Sequence, residues 1–156
     1  MKKIIKRCLL VLWMIVIFML SNQPGADSAE TSNIVTQLIY NIYSFLLPEN
    51  YLIGLSEFLS RYVHIIRKIA HFSEYLILGI LFYINFEELN NPKKQLYLSL
   101  LCSIAYAISD EIHQLFVLNR YCSFTDILID SSGAVTGILI FHFLSKIWKK
   151  HSSYHY

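Results

Sequence analysis

Five acids, three firm bases and two histidines fall in stretches of the chain that are otherwise rich in apolar residues. His71 and Glu74 are three apart. Asp110 and Gln114 are four apart, as are Asp126 and Asp130. On a helix each such pair shares a face. Glu111 follows Asp110, Arg67 and Lys68 precede His71, and Arg120 stands between the second and third groups. His71, Glu74, Asp110 and Glu111 are candidates for general acid–base catalysis, because imidazole titrates near neutrality and surroundings can bring a carboxyl into that range. Arg67, Lys68 and Arg120 are candidates for holding a carboxylate or phosphate, the arginines bidentately. Gln114, Asp126 and Asp130 complete a ligand-binding set. Three uses stay open: catalysis, binding of a ligand or partner group, and ion pairs that only fix packing.

Other chemistries have little to rest on. His71-x-x-Glu74 can set two metal ligands on one face, but Glu111 and His113 are two apart and diverge on a helix. The order also reverses the Glu-x-x-His of di-iron bundles. No metal site is expected, and the sequence identifies no cofactor. There is no P-loop, GxGxxG, HExxH or GxSxG. No basic stripe supports nucleic-acid binding. Cys8, Cys102 and Cys122 are odd in number and match no zinc or redox spacing.

The elements that must position these groups are membrane helices. The chain has 156 residues, is 55% hydrophobic and only 15% charged, where soluble domains carry about 25% charged residues. Its mean hydropathy is +0.46. About 20 apolar residues cross a bilayer core as a helix. Four stretches qualify: about 4–20, 67–86, 94–114 and 127–147. The expected fold is an all-α polytopic membrane bundle forming a single domain over 1–156. Between the first and second spans, 28–66 carries apolar residues at helical spacing on either side of Pro48. These read as amphipathic helices at the outer interface or folded back on the bundle.

Lys and Arg set the direction. Lys2, Lys3, Lys6, Arg7, Lys93, Lys94, Lys146, Lys149 and Lys150 fall on one side, nine against the four of Arg61, Arg67, Lys68 and Arg120. By the positive-inside rule both termini are cytoplasmic in a multi-pass cell-membrane protein. A cleaved signal peptide is the rival reading of Lys2–Leu20, but Asp27 fits poorly at the −3 position of a cut after Ala29. At a rise of 1.5 Å per residue, His71 lies about 6 Å and Glu74 about 10 Å in from the outer end of the second span. Asp110 has climbed about 24 Å from Lys94, and Asp130 lies about 6 Å below Asp126. The polar groups of three segments therefore share one depth near the outer leaflet. Gly133-Ala-Val-Thr-Gly137 continues the Asp126–Asp130 stripe inward and reads as a close helix contact.

Four blocks carry a resemblance: Ser21-Asn-Gln-Pro24; Arg67-Lys-Ile-Ala-His-Phe-Ser-Glu-Tyr75; Asp110-Glu-Ile-His-Gln114 with Arg120; and Ser123-Phe-Thr-Asp126 through Asp130 to Gly133 and Gly137. In order and spacing the chain resembles the VanZ-like family of bacterial membrane proteins. Asp130 stands where that family often has Asn. The resemblance adds Gln23 to the ligand-binding candidates. It implies a role in the cell envelope, with glycopeptide (teicoplanin) resistance as one expectation, and supplies no reaction. The leading expectation is an outward polar pocket for an anionic envelope lipid, a lipid-linked wall precursor or a glycopeptide. The alternatives are an intramembrane enzyme acting on a lipid-linked substrate, and a structural or assembly subunit of a membrane complex.

Overall fold

A computed structural model describes residues 2–48 and 52–152. The ends of the expected 1–156 domain, and 49–51 within the expected 28–66 segment, lie outside the described residues. So do the side chains of Lys2, Lys149 and Lys150 from the charge count. The described chain is helical: α1 Lys2–Ser21, α2 Gly25–Leu46, α3 Leu55–Asn85, α4 Pro92–Gln114 and α5 Phe124–Ser152, with a short 3-10 turn at Phe86–Leu89. Among the described residues there is no strand.

Boundaries follow local chemistry. Leu47, which precedes Pro48, is extended at φ −116°, ψ 144°, and this closes α2. Asn90 takes a left-handed turn at φ 50°. Asn91 then caps α4, its side-chain oxygen accepting from the Lys93 and Lys94 amides at 3.1 Å, with Pro92 at the first helical position. One junction differs from expectation. The apolar pattern after Pro48 and the second span are a single 31-residue helix, α3. No turn residue interrupts Leu55–Asn85, so nothing separates the two stretches.

α3 is the central helix. It packs most extensively on α5 and also touches α1, α2 and α4. The α3–α5 seam is made of small residues. A Cβ at Gly133 would overlap the Phe72 carbonyl, and one at Gly137 would overlap that of Leu76. Gly79 meets Ala134 in the same way from the α3 side. The glycine seam is thus occupied by the chain's own α3, and it is not a free surface for an assembly partner. Below the site, Ile17, Tyr75, Leu78, Phe82, Ala107 and Ala134 form the core, with Leu10, Trp13 and Met14 of α1 against it.

Among the described residues three helices are long and apolar enough to cross a membrane: Lys3–Ser21, Leu55–Leu89 and Phe124–Trp148. The 23-residue α4 is long enough but too polar. Its polarity is turned inward. Gln95, Ser99, Ser103, Asp110, Glu111 and Gln114 are buried along one face, while Tyr97, Leu101, Ile108 and Ile112 are exposed. α2 is arranged alike. Ser28 and Thr36 are buried, and Ile34, Val35, Leu38, Ile42, Phe45 and Leu46 face outward. Its far end meets the start of α3 through Tyr40, Tyr43 and Phe58.

Lys6 pairs with Glu87 at 3.0 Å, and Lys3 and Arg7 lie 3.4 and 3.6 Å from Glu88. Tyr83 meets His142 of α5 at 2.6 Å. The start of α1, the α3–α4 turn and the late part of α5 therefore share one end of the bundle. The polar site occupies the other.

Candidate functional site

The site begins where α1 stops. Ser21, buried at the last turn of α1, donates to Asp110 Oδ2 at 2.7 Å and accepts from Gln114 Nε2 at 2.8 Å. Gln114 Oε1 in turn accepts from Arg120 Nη1 at 3.0 Å, and Arg120 Nε donates to the Gln23 carbonyl at 3.2 Å. One chain of bonds thus ties the end of α1, the last turn of α4 and the α4–α5 loop. The loop is pinned twice more. The Ser123 amide donates to Glu111 Oε2 at 2.8 Å, and the Gly25 amide donates to the Leu118 carbonyl at 3.0 Å. A side chain at Gly25 would strike the Asn119 carbonyl, so the α1–α2 joint needs glycine there.

α3 and α5 supply the remaining groups. His71 Nδ1 stands 3.8 Å from Oδ1 of the fully buried Asp130. That is ion-pair reach for a protonated ring and too long for a hydrogen bond. Lys68 lies 3.9 Å from Asp126 in the first turn of α5. The backbone carbonyl of Glu74 accepts from Trp13 Nε1 at 2.9 Å, fixing α3 on α1.

Two cavities open on this framework. A polar one of about 360 Å³ is walled by Arg67, Lys68, His71, Gln114, Arg120 and Asp126, with His64, Asn119, Tyr121, Ser123 and Thr125 around it. A second, of about 250 Å³, lies between α1, α2 and α3 and includes Gln23 and Glu74. Arg67, His71 and Arg120 border both. Asp110, Glu111 and Asp130 line neither cavity. They are buried, at 5%, 0% and 0% exposure. Glu111 Oε1 and both oxygens of Asp130 find no hydrogen-bond partner among the described residues. The candidates read from sequence therefore converge, but they divide into a lining, mostly cationic or neutral with Asp126 and Glu74, and the three buried acids Asp110, Glu111 and Asp130 outside it.

The cations are incompletely matched. Among the described residues Arg67 makes no hydrogen bond or ion pair, although it is half-buried. Arg120 reaches only neutral acceptors, Gln23 and Gln114. Burial, and then the neighbouring Arg67 guanidinium, push the Arg120 pKa below the ordinary arginine value. The amino end of α5 opens on the same cavity through Ser123, Thr125 and Asp126. Among the described residues no group of three or more His, Cys, Asp or Glu side chains is arranged to hold a metal ion.

Sequence reasoning missed Ser21 and Ser123 as site residues, although both stand inside the motif blocks. Their role is to bond the ends of different helices, and helical spacing does not report that. Trp13 and Tyr106, which bond backbone carbonyls of neighbouring helices, gave no signal beyond apolarity.

A helical bundle with exposed apolar faces and its polar groups gathered at one end defines an integral membrane protein. The family model described as VanZ/LLP1 matches residues 7–145. The chain belongs to the VanZ/LLP1 family. No curated protein and no solved structure is found to match it.

Proposed function

We propose that this VanZ-family protein binds an anionic envelope ligand in the polar cavity beside Arg67 and Arg120. The ligand class is a phosphate- or carboxylate-bearing lipid, a lipid-linked wall precursor or a glycopeptide. Through it the protein would serve in the envelope, glycopeptide resistance included. The observation that carries the reading is the pair of guanidiniums that line one cavity and, among the described residues, have no carboxylate partner. Half-buried cations are costly unless an opposite charge meets them. Lys68 adds a third positive charge, against the one carboxylate of Asp126 on the wall. The amino end of α5 adds a helix dipole that favours an anion.

The placement in the envelope rests on depth. Fifteen residues of α1 separate Lys6 from Ser21, a rise of about 22 Å in a core of about 30 Å. With the Lys-rich end in the cytoplasm, the cavity opens at the outer leaflet, where lipid-linked wall precursors are displayed. The reading takes 1–156 as one domain and α4 as a fourth span, its polar face packed inside and its apolar face toward lipid. Native mass spectrometry of detergent-purified protein tests the reading. Wild type should retain an anionic lipid, and Arg120→Ala should lose it. An equal lipid load on both proteins would defeat it.

One observation favours a second reading, an intramembrane enzyme on the same ligand. His71 borders both cavities with Asp130 Oδ1 3.8 Å from its Nδ1, and closing that gap to a hydrogen bond would give a general base oriented by a carboxylate. Glu74 lines the adjoining cavity as a candidate proton donor or acceptor. Turnover of labelled lipid-linked precursors, lost in His71→Gln and Glu74→Gln, would support catalysis. No turnover across a broad lipid panel would remove it.

A further inference from the structure

Building on the anion-binding reading, we infer that the ligand is a phosphate-bearing amphiphile. Its phosphate sits in the polar cavity, and its single hydrocarbon chain lies in the second cavity, between α1, α2 and α3.

Three observations lead there. First, the two cavities are continuous in their linings: Arg67, His71 and Arg120 belong to both. A molecule gripped by these side chains can place a polar part on one side and an apolar part on the other.

Second, the surface of the second cavity is mainly apolar, although Ser21, Gln23 and Glu74 also border it. Ile17 and Leu20 come from α1, Val35 from α2, and Ile66 and Ala70 from α3. Of the three hydroxyl residues on its α2 side, Ser28, Thr31 and Ser32, the last two donate to carbonyls of their own helix. Ser32 Oγ bonds the Ser28 carbonyl at 2.8 Å, and Thr31 Oγ1 bonds the Asp27 carbonyl at 3.0 Å. What they present to the cavity is mainly carbon. Val35 and Leu38, 41% and 58% exposed, continue the apolar wall outward along α2, so a chain can enter from the lipid side.

Third, size selects a single chain. At the ~30 Å³ that one water occupies in the liquid, 250 Å³ holds roughly eight groups of methylene size. A free anion would leave the groove unused.

The test is a chain-length series with purified protein in detergent micelles. The probes are inorganic phosphate and monoalkyl phosphates of increasing length, measured by calorimetry. In wild type each added methylene should raise affinity about fourfold, up to a plateau near eight carbons. Ala70→Trp fills the groove and should abolish the chain-length dependence while inorganic phosphate still binds. Val35→Trp blocks the groove from the α2 side and guards against a folding defect in the first variant. If both filled variants keep the wild-type slope, the tail assignment falls and the anion site stands. If wild type binds neither inorganic nor alkyl phosphate, the anion site fails, and the tail assignment fails with it.

Discussion

Removing Arg67 should weaken binding without weakening the fold. The Arg67 guanidinium is half-buried and has no hydrogen bond or ion pair among the described residues. Arg67→Ala therefore forfeits no internal bond and relieves a like-charge contact with Arg120. Its stability should stay within about 0.5–1 kcal/mol of wild type, as for substitutions that touch no packed or bonded feature. Arg120→Ala is the contrast. It removes bonds to the Gln23 carbonyl and to Gln114 Oε1, each worth about 1 kcal/mol net, and leaves the 3%-exposed Gln114 short of a partner. A loss of about 2–3 kcal/mol is expected there. Both variants should lose anion affinity. A hydrogen bond to a charged group is worth about 1.5–3 kcal/mol, or about 10- to 150-fold in Kd. Denaturant titration in detergent gives the stabilities, and calorimetry with an alkyl phosphate gives the affinities. Arg67→Lys, which keeps the charge and loses the planar fork, should fall between Ala and wild type in affinity. The reasoning is refuted if Arg67→Ala unfolds as readily as Arg120→Ala and binds the anion as wild type does. Arg67 would then be a structural residue.

Two further outcomes test the frame around the site. Gly137→Val forces a side chain onto the Leu76 carbonyl and should cost about 1–3 kcal/mol or more by separating α3 from α5, while Ile140→Ala on the exposed face should change stability by under about 0.5 kcal/mol. Unfolding midpoints of the two variants in one detergent decide it, and equal midpoints would contradict the seam. Cys8 and Cys122 are both exposed and lie toward opposite ends of the bundle. In intact cells a membrane-impermeant maleimide should label a variant retaining only Cys122 and spare one retaining only Cys8. The reverse pattern would invert the orientation.

The sequence was most legible where the membrane imposes a length. The bounds of α1 and α4 lie within two residues of the expected 4–20 and 94–114, and α5 runs past the expected 127–147 at both ends; of these, α1 and α5 are long and apolar enough to cross a membrane. It was least legible along 28–66. Apolar residues at helical spacing there fit helices at the outer interface or folded back on the bundle alike; α2 turns that stripe outward and packs Ser28 and Thr36 inward. Periodicity gives a stripe and not its direction, and in a lipid solvent the apolar stripe can be the outer one. α4 repeats the lesson. Its buried Ser99, Ser103 and Glu111 lower its hydropathy because it is polar inside. For the site, spacing put His71, Glu74, Asp110, Asp126 and Asp130 at one level. It could not separate the cavity wall from the buried acids outside it, because that depends on rotation about helix axes. The bridging roles of Ser21 and Ser123 depend on where loops return, which no local pattern encodes.

The charge arrangement bears on how the protein is held together as well as on what it binds. The acids Asp110, Glu111 and Asp130 are buried and line neither cavity, and the cations Arg67, Lys68 and Arg120 line the polar one. Among the described residues, of these three acids only Asp110 and Glu111 receive protein hydrogen bonds, Asp110 from Ser21 and Gln114 and Glu111 from the Ser123 amide. If the acids alone were meant to balance the cations, direct pairs would be the cheapest arrangement, since proximity strengthens attraction while desolvation is already incurred. Among the described residues the only lysine or arginine pair formed by the site groups is the loose one from Lys68 to Asp126. The guanidiniums are instead left to face the cavity. An anion resting there completes their coordination, so it should stabilise the folded protein in proportion to RT ln(1 + [L]/Kd). At a hundredfold excess over Kd that is about 2.7 kcal/mol. Arg67→Ala should remove most of this ligand-dependent gain while leaving the ligand-free stability near wild type. A gain that survives in Arg67→Ala would place the anion elsewhere on the protein.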